Sequence, residues 1–114
     1  MDSRQLVDLV ARIAEDRKAQ DVVTLDMQDV TLVADYFVIM GGKTTTQVDA
    51  LADHIERGAK EAGVRPLHRE GKAGSRWVLL DYGGVVVHIF TEDERRFYDL
   101  ERLWGDAAVV RHGS

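Results

Sequence analysis

The sequence predicts an α/β fold, in which one mixed β-sheet is flanked by helices. The prediction rests on an alternation of two kinds of segment. Runs with helical apolar periodicity alternate with short runs rich in Val, Ile and Phe, which are typical of strands. The length and composition agree, since 114 residues that are 45% hydrophobic and 31% charged suit a chain with one buried core. No linker or repeat divides the chain, so we expect a single domain over residues 1–114.

The chain is predicted to begin with a helix followed by a strand. Apolar residues recur at helical spacing over residues 3–18, and Asp2 or Ser3 can cap the first free amides of that helix. Residues 22–27 form a short β-branched run, which is typical of a strand.

The next two predicted elements are a buried strand and a second helix. The continuous apolar run 36–40 is typical of a strand covered on both faces, and the glycine pair at 41–42 is expected to end it. Thr44 stands three residues before Gln47, which is capping-box spacing, so a helix is predicted over 45–62. Gly63 is its expected C-terminal stop.

The second half of the chain is predicted to supply most of the sheet. Residues 67–70 suit an edge strand, and residues 76–82 and 85–91 suit two strong strands. The two glycines that join this last pair favour a tight primed hairpin turn. A helix with an acidic start is predicted over 92–104, and 107–110 is expected to add a short strand before the chain frays at 111–114.

Composition excludes several classes of function. A formal net charge of -5 disfavours broad adhesion to phosphate backbones. The absence of cysteine excludes disulfide frameworks, zinc ribbons and thiol catalysis, and fits a reducing cytoplasm. No apolar run approaches the ~20 residues that span a bilayer, and the first residues lack the apolar core of a signal peptide. We therefore expect an intracellular protein with no membrane partner.

The Gly-Gly-Lys-Thr run at 41–44 is the feature most like an enzyme site. Its tail matches a phosphate-binding loop, in which backbone amides and the lysine hold phosphates. The full pattern needs an earlier glycine where Phe37 stands. A strand end followed by a helix cap is the alternative interpretation.

Acids and histidines give no clearer catalytic pattern. Asp26, Asp29 and Asp35 flank the first two predicted strands, but no Asp-x-Asp lies on a strand, and such acids commonly form caps and turns. No serine stands in a nucleophile turn. The histidines lack metal-ligand spacing: His54, His68, His88 and His112. We therefore predict no catalytic residue, no metal and no cofactor.

The predicted hairpin is the best candidate for binding a partner. Alternation sends one set of side chains to one face (Trp77, Leu79, Asp81) and a second set to the other (Val78, Leu80, Tyr82). Since both sets are largely apolar, either the core is two-sided or one face is left open for a partner. A basic run lies beside this hairpin, at Arg65, His68, Arg69, Lys72 and Arg76, and suits RNA, an acidic protein or a solvated rim.

An ordered series of segments resembles the ribosomal silencing factors (the Iojap family) over residues 21–106. The segments are DYFVIMGG at 35–42, QV at 47–48, EG at 70–71, WVLLDYG at 77–83, VVHIF at 86–90 and RFYDLERLW at 96–104. One departure is visible, because the family usually has serine or asparagine within the loop at 42–44.

The resemblance implies a fold similar to nucleotidyltransferases without their catalytic acids. It also implies a non-enzymatic translational repressor that acts when nutrients are scarce. Such a repressor binds the large ribosomal subunit through ribosomal protein L14 and blocks joining of the small subunit by steric exclusion. Homodimers and a minor rRNA contact are further expectations. Carried onto this chain, the implied contact residues are Trp77, Leu79, Asp81, His88, Arg95, Arg96 and Tyr98.

Two other hypotheses remain open from the sequence. A nucleotide- or metal-dependent transferase would use the 41–44 loop with Asp26 and Asp35. An RNA-binding module would use the basic run at 65–76, with binding that weakens steeply as salt rises.

Overall fold

The computed structural model describes residues 1–98 and 108–112, with the side chains of residues 97, 98 and 108 excepted. The remaining predicted features, including Trp104 and the end of the helix predicted over 92–104, lie outside the described residues. The elements are α1 (Ser3–Asp16), β1 (Gln20–Asp26), β2 (Tyr36–Gly42), α2 (Thr45–Glu61), β3 (His68–Glu70), β4 (Trp77–Asp81), β5 (Val85–Thr91), α3 (Glu92–Tyr98) and β6 (Ala108–Arg111).

The six described strands form one mixed sheet in the order β3-β4-β5-β2-β1-β6. Only β2 and β5 are parallel neighbours, and the other described pairs are antiparallel. The predicted α/β class with a mixed sheet flanked by helices is therefore confirmed. No helix among the described residues has the length and apolar character needed to cross a bilayer.

The sheet has an apolar core on each side. We call the side covered by α1 and α2 the helix face. Its strand residues include Val38, Val78, Leu80, Val87 and Ile89, all fully buried against those helices. We call the other side the aromatic face. It carries Val23, Leu25, Phe37, Ile39, Val86 and Phe90, with Trp77 and Leu79 packed at its margin. Both faces of the sheet therefore carry a buried apolar core, and on the aromatic face the hairpin residues Trp77 and Leu79 remain half-buried.

Three predicted boundaries are wrong for identifiable reasons. The 41–42 glycines do not follow β2 but belong to it, because they pair in parallel with Phe90 and Thr91. The first helix ends at Asp16, not residue 18, because Lys18 has a φ of 60°. The chain does not fray at 111–112, since the His112 amide donates to the Val22 carbonyl at 2.8 Å.

The two long helices end in the same motif with different residues at its left-handed position. After α1, Lys18 (φ 60°) takes that position, and the Ala19 amide donates to the Ala14 carbonyl at 2.9 Å. After α2, Gly63 (φ 87°) takes it, and the Val64 amide donates to the Ala59 carbonyl at 2.8 Å. Both are Schellman endings, in which glycine is favoured because a Cβ is strained at positive φ.

This pair predicts opposite effects of exchanging the two residues. We expect Lys18→Gly to stabilise the protein by about 0.5 kcal/mol, because it relieves left-handed strain. Gly63→Lys should lower the stability by about 1 kcal/mol, because it places a side chain at a left-handed position. The cost comes from the backbone, since a Cβ there meets nothing within 4 Å. Urea denaturation of both variants measures this, and a stability change of the same sign in both would contradict the assignment.

Candidate partner-binding site

The aromatic face is organised around a cluster of four rings contributed by β2, β4 and β5. The Trp77 and Phe90 ring centroids are 4.7 Å apart, and Phe37 meets His88 edge-on at 4.9 Å and 62°. Because neighbouring strands place Trp77 opposite Phe90 and Leu79 opposite His88, these side chains share one face by register. The cluster is thus a product of strand pairing, with its rings fixed by mutual contact.

His88 is the polar member of this cluster and is held neutral. Trp77 Nε1, which can only donate, lies 3.3 Å from His88 Nδ1, so Nδ1 accepts and the ring proton lies on Nε2. Nε2 is buried and has no hydrogen-bond partner within the part of the chain that the structure describes. Burial lowers the pKa of His88 to about 4, because a charged imidazolium would be desolvated there.

The predicted contact residues on the hairpin occupy different depths. Trp77, Leu79 and Asp81 are half-buried and lie on one side of β4, as alternation predicts. His88 differs from the expectation that it contacts a partner, since only 5% of it is exposed. It lies beneath the surface and orients the Trp77 indole. Asp81 Oδ1 accepts from the Gly83 amide at 2.8 Å and so stabilises the turn between β4 and β5.

The predicted contact residues on α3 are also separated by the structure. Arg95 is half-buried, and its Nη1 donates to the Gln20 carbonyl at 3.1 Å, on the aromatic-face side of the sheet. The Arg96 side chain is 74% exposed and pairs with Asp93 at 3.0 Å. The side chain of Tyr98 lies outside the described residues. Arg96 is therefore the described α3 residue that is best placed to reach a partner.

Acidic side chains neutralise much of the basic run beside the hairpin. Arg69 Nη1 lies 3.0 Å from both Asp53 Oδ1 and Glu56 Oε1 on α2. His68 pairs with Glu70 at 2.9 Å, across one intervening residue of β3. An RNA-binding role that depends on this whole run receives no support from such pairing, since the central arginine faces carboxylates instead of solvent.

The 41–44 loop is a strand end followed by a helix cap. The Lys43 amide donates to Gln47 Oε1 at 2.6 Å, and the Gln47 amide donates to Thr44 Oγ1 at 3.1 Å. A Cβ on Gly42 would lie 3.2 Å from the Val48 backbone nitrogen. The Lys43 amide, one of those that would hold a phosphate, is thus engaged by a side chain of the helix itself.

The acids of the alternative transferase site also have local structural roles. Asp26 Oδ1 accepts from the Gln28 amide at 3.0 Å, and Asp35 Oδ2 accepts from the Ser3 hydroxyl at 3.1 Å. Over residues 1–98 and 108–112, no group of three His, Cys, Asp or Glu side chains is placed to hold a metal ion. No observation in this region favours the transferase hypothesis.

Sequence comparison shows the family to which the chain belongs. The family described as "Ribosomal silencing factor during starvation" matches residues 1–113. The chain belongs to the ribosomal silencing factor family. Among relatives named ribosomal silencing factor, that of Bacillus subtilis is 45% identical over 110 residues, covering 96% of this chain and 93% of the relative. That of Halalkalibacterium halodurans is 44% identical, covering 96% and 94%.

Solved structures of other bacterial proteins share the fold of this chain. A crystal structure of a Chromobacterium violaceum protein superposes with a TM-score of 0.88 at 36% identity, covering 92% of this chain and 88% of that one. A crystal structure from Bacillus halodurans gives a TM-score of 0.83 at 40% identity, covering 95% of this chain and 98% of that one.

The Iojap proteins are also similar in sequence. The chloroplast Iojap protein of Zea mays is 31% identical, although this chain spans less than half of its length. The sequence-based resemblance is thus confirmed.

The sequence did not identify Phe37 as a member of the aromatic cluster. Phe37 lies in the uniformly apolar run of β2, where every residue but the first is buried, so hydrophobicity alone does not show which face it takes. Its assignment depends on the β2–β5 register, which pairs Phe37 with Val86. That register joins residues far apart in the chain, and no local pattern encodes it.

Proposed function

We propose that this protein is a ribosome-associated translational repressor that acts in the cytoplasm without catalytic turnover. It binds the large ribosomal subunit through ribosomal protein L14 and excludes the small subunit sterically when nutrients are limiting. The observation that carries the proposal is the match of residues 1–113 to the silencing factor family. The net charge of -5 favours attachment to a ribosomal protein over attachment to rRNA, which is left a minor contact.

The aromatic face offers a surface of the kind that protein interfaces use. Trp77 and Leu79 are half-buried at its margin, and Arg96 is exposed on α3. Tryptophan and arginine are the residues that most often dominate binding energy at interfaces. Since Trp77 is already fixed by Phe90 and His88, binding would cost little further ordering of its side chain.

Several further aspects of the proposal depend on the family resemblance alone. We include Asp81, Arg95 and Tyr98 in the contact surface on that basis. The assignment of His88 to positioning Trp77 is supported instead by its hydrogen bond to the indole. The protein is also proposed to form homodimers. Its fold is proposed to be related to nucleotidyltransferases that have lost their catalytic acids.

Co-sedimentation with purified large ribosomal subunits tests the function. The folded protein should pellet with large subunits at moderate salt, and it should reduce the yield of joined ribosomes when small subunits are added. Prior occupation of L14 by an antibody fragment should abolish pelleting. Failure of the folded protein to pellet with large subunits would overturn the proposal.

Charge reversal at Arg96 tests the position of the contact surface. Arg96→Glu should weaken subunit binding roughly tenfold, as expected for an interface arginine, with little loss of stability because its ion pair is exposed. Arg12→Glu is the matched control, since Arg12 is exposed on α1, which covers the opposite side of the sheet. Equal weakening by both variants would indicate a general charge effect and contradict the placement.

A further inference from the structure

The loop that joins β1 to β2 presents two large aliphatic side chains to solvent. Leu32 is 104% exposed relative to its reference state, and Val33 is 77% exposed. Their neighbours face inward, because Met27 and Ala34 are buried and Val30 packs into the core of the aromatic face. The exposure is therefore a local property of the loop tip, which we define as Leu32 and Val33.

Backbone hydrogen bonds hold the base of this loop. The Met27 amide donates to the Asp35 carbonyl at 2.7 Å, and the Thr31 amide donates to the Met27 carbonyl at 3.0 Å. The Val33 amide donates to Thr31 Oγ1 at 3.1 Å. A tip held in this way loses little conformational freedom when it binds, so its apolar area contributes efficiently to affinity.

The surroundings of the tip are acidic. No Lys or Arg stands between Lys18 and Lys43 in the sequence, whereas Asp26, Asp29 and Asp35 flank or lie in the loop. None of the three carboxylates forms an ion pair with a described residue. Acids in this position repel the phosphates of RNA and of anionic lipids, and attract Lys and Arg.

We propose that the tip docks into an apolar hollow of a basic protein, with Lys or Arg side chains at the rim that face Asp29. The loop lies on the same side of the sheet as Trp77 and Leu79, because Val30 shares their core. The docking protein is therefore a component of the large subunit next to the main contact, and this identification rests on the proposed function. The loop and the aromatic face together make an extended contact surface.

A double substitution tests the apolar part of this docking. Leu32→Ser with Val33→Ser should weaken co-sedimentation with purified large subunits roughly tenfold, as for the loss of an interface anchor. Thermal unfolding should be unchanged, since neither side chain is buried. Leu67→Ser is the matched control, because Leu67 is also 77% exposed but precedes the edge strand β3. Wild-type affinity in the double variant would overturn the docking proposal while leaving the proposed function intact.

A charge reversal distinguishes a protein from RNA as the occupant. Asp29→Lys should weaken binding several-fold if the rim of the hollow is basic, whereas it should strengthen binding if the tip faces RNA. Vesicles of phosphatidylcholine and phosphatidylglycerol provide the membrane comparison. Tighter binding of Asp29→Lys, or vesicle binding that requires Leu32 and Val33, would overturn the proposal. If the wild type fails to bind large subunits, the proposed function and this docking both fail.

Discussion

Replacing His88 with phenylalanine should make the protein lose less stability when the pH is lowered. Burial lowers the pKa of His88 from 6.5 to about 4, so between these values the unfolded chain binds a proton that the folded protein excludes. The stability that depends on a neutral His88 is fully present above pH 6.5, and it declines as pH falls toward about 4. The wild type should lose about 3 kcal/mol more than His88→Phe over that window.

Urea denaturation followed by tryptophan fluorescence, from neutral pH down to about pH 4, measures the difference. His54→Gln controls for the loss of a histidine in general, since His54 is half-exposed on α2. At neutral pH, His88→Phe should cost about 1 kcal/mol, because Trp77 Nε1 loses its acceptor although phenylalanine preserves the ring contacts with Phe37 and Phe90. Parallel pH profiles for wild type and His88→Phe would refute the buried neutral state.

Adding one methyl group at Gly71 should destabilise the protein by about 3 kcal/mol. The residue has a φ of 102°, where a side chain is strained. Its Cβ would also lie 2.7 Å from the Trp77 carbonyl oxygen and 3.1 Å from the Val78 Cα. Because both neighbours are backbone atoms, neither can rotate away, and β4 itself would have to move.

Gly74→Ala separates backbone strain from steric clash at Gly71. Gly74 has a φ of 84° in the same connection, but a Cβ there meets nothing within 4 Å. It should therefore cost only about 1 kcal/mol. Denaturant midpoints of the two alanine variants test this comparison, and equal losses would show that the contact with β4 is unimportant. Gly71→Ala should also weaken subunit binding, since Trp77 begins the displaced strand.

The features that sequence predicted well are those encoded by neighbouring residues. The alternation over 76–82 correctly placed Trp77 and Leu79 opposite Val78 and Leu80. The Thr44 cap is confirmed by its hydrogen bond to the Gln47 amide, and Gly63 does end the second helix region in a left-handed conformation. Each follows from a period of two, a capping distance or a φ preference, and all act within a few residues.

The features that sequence missed depend on contacts between distant segments. β2 continues through the glycine pair because β5 pairs with it, which glycine propensity alone opposes. Arg69 adds little to the predicted basic surface, because it forms ion pairs with Asp53 and Glu56 on α2. The depth of His88 likewise depends on the rings packed around it, so composition could not reveal whether it was exposed.

The pairing of β6 with β1 has a consequence for the order of synthesis and folding. β1 at Gln20–Asp26 is made well before its outer neighbour at Ala108–Arg111, and β2 to β5 lie between them in the sequence. The outer edge of β1 therefore gains its neighbour through a contact between segments far apart in the chain, and such a contact closes slowly because the loop between them must be ordered first. We expect β6 to be among the last strands to join the sheet, so the pairing of β1 with β2 can form before the sheet reaches its full width.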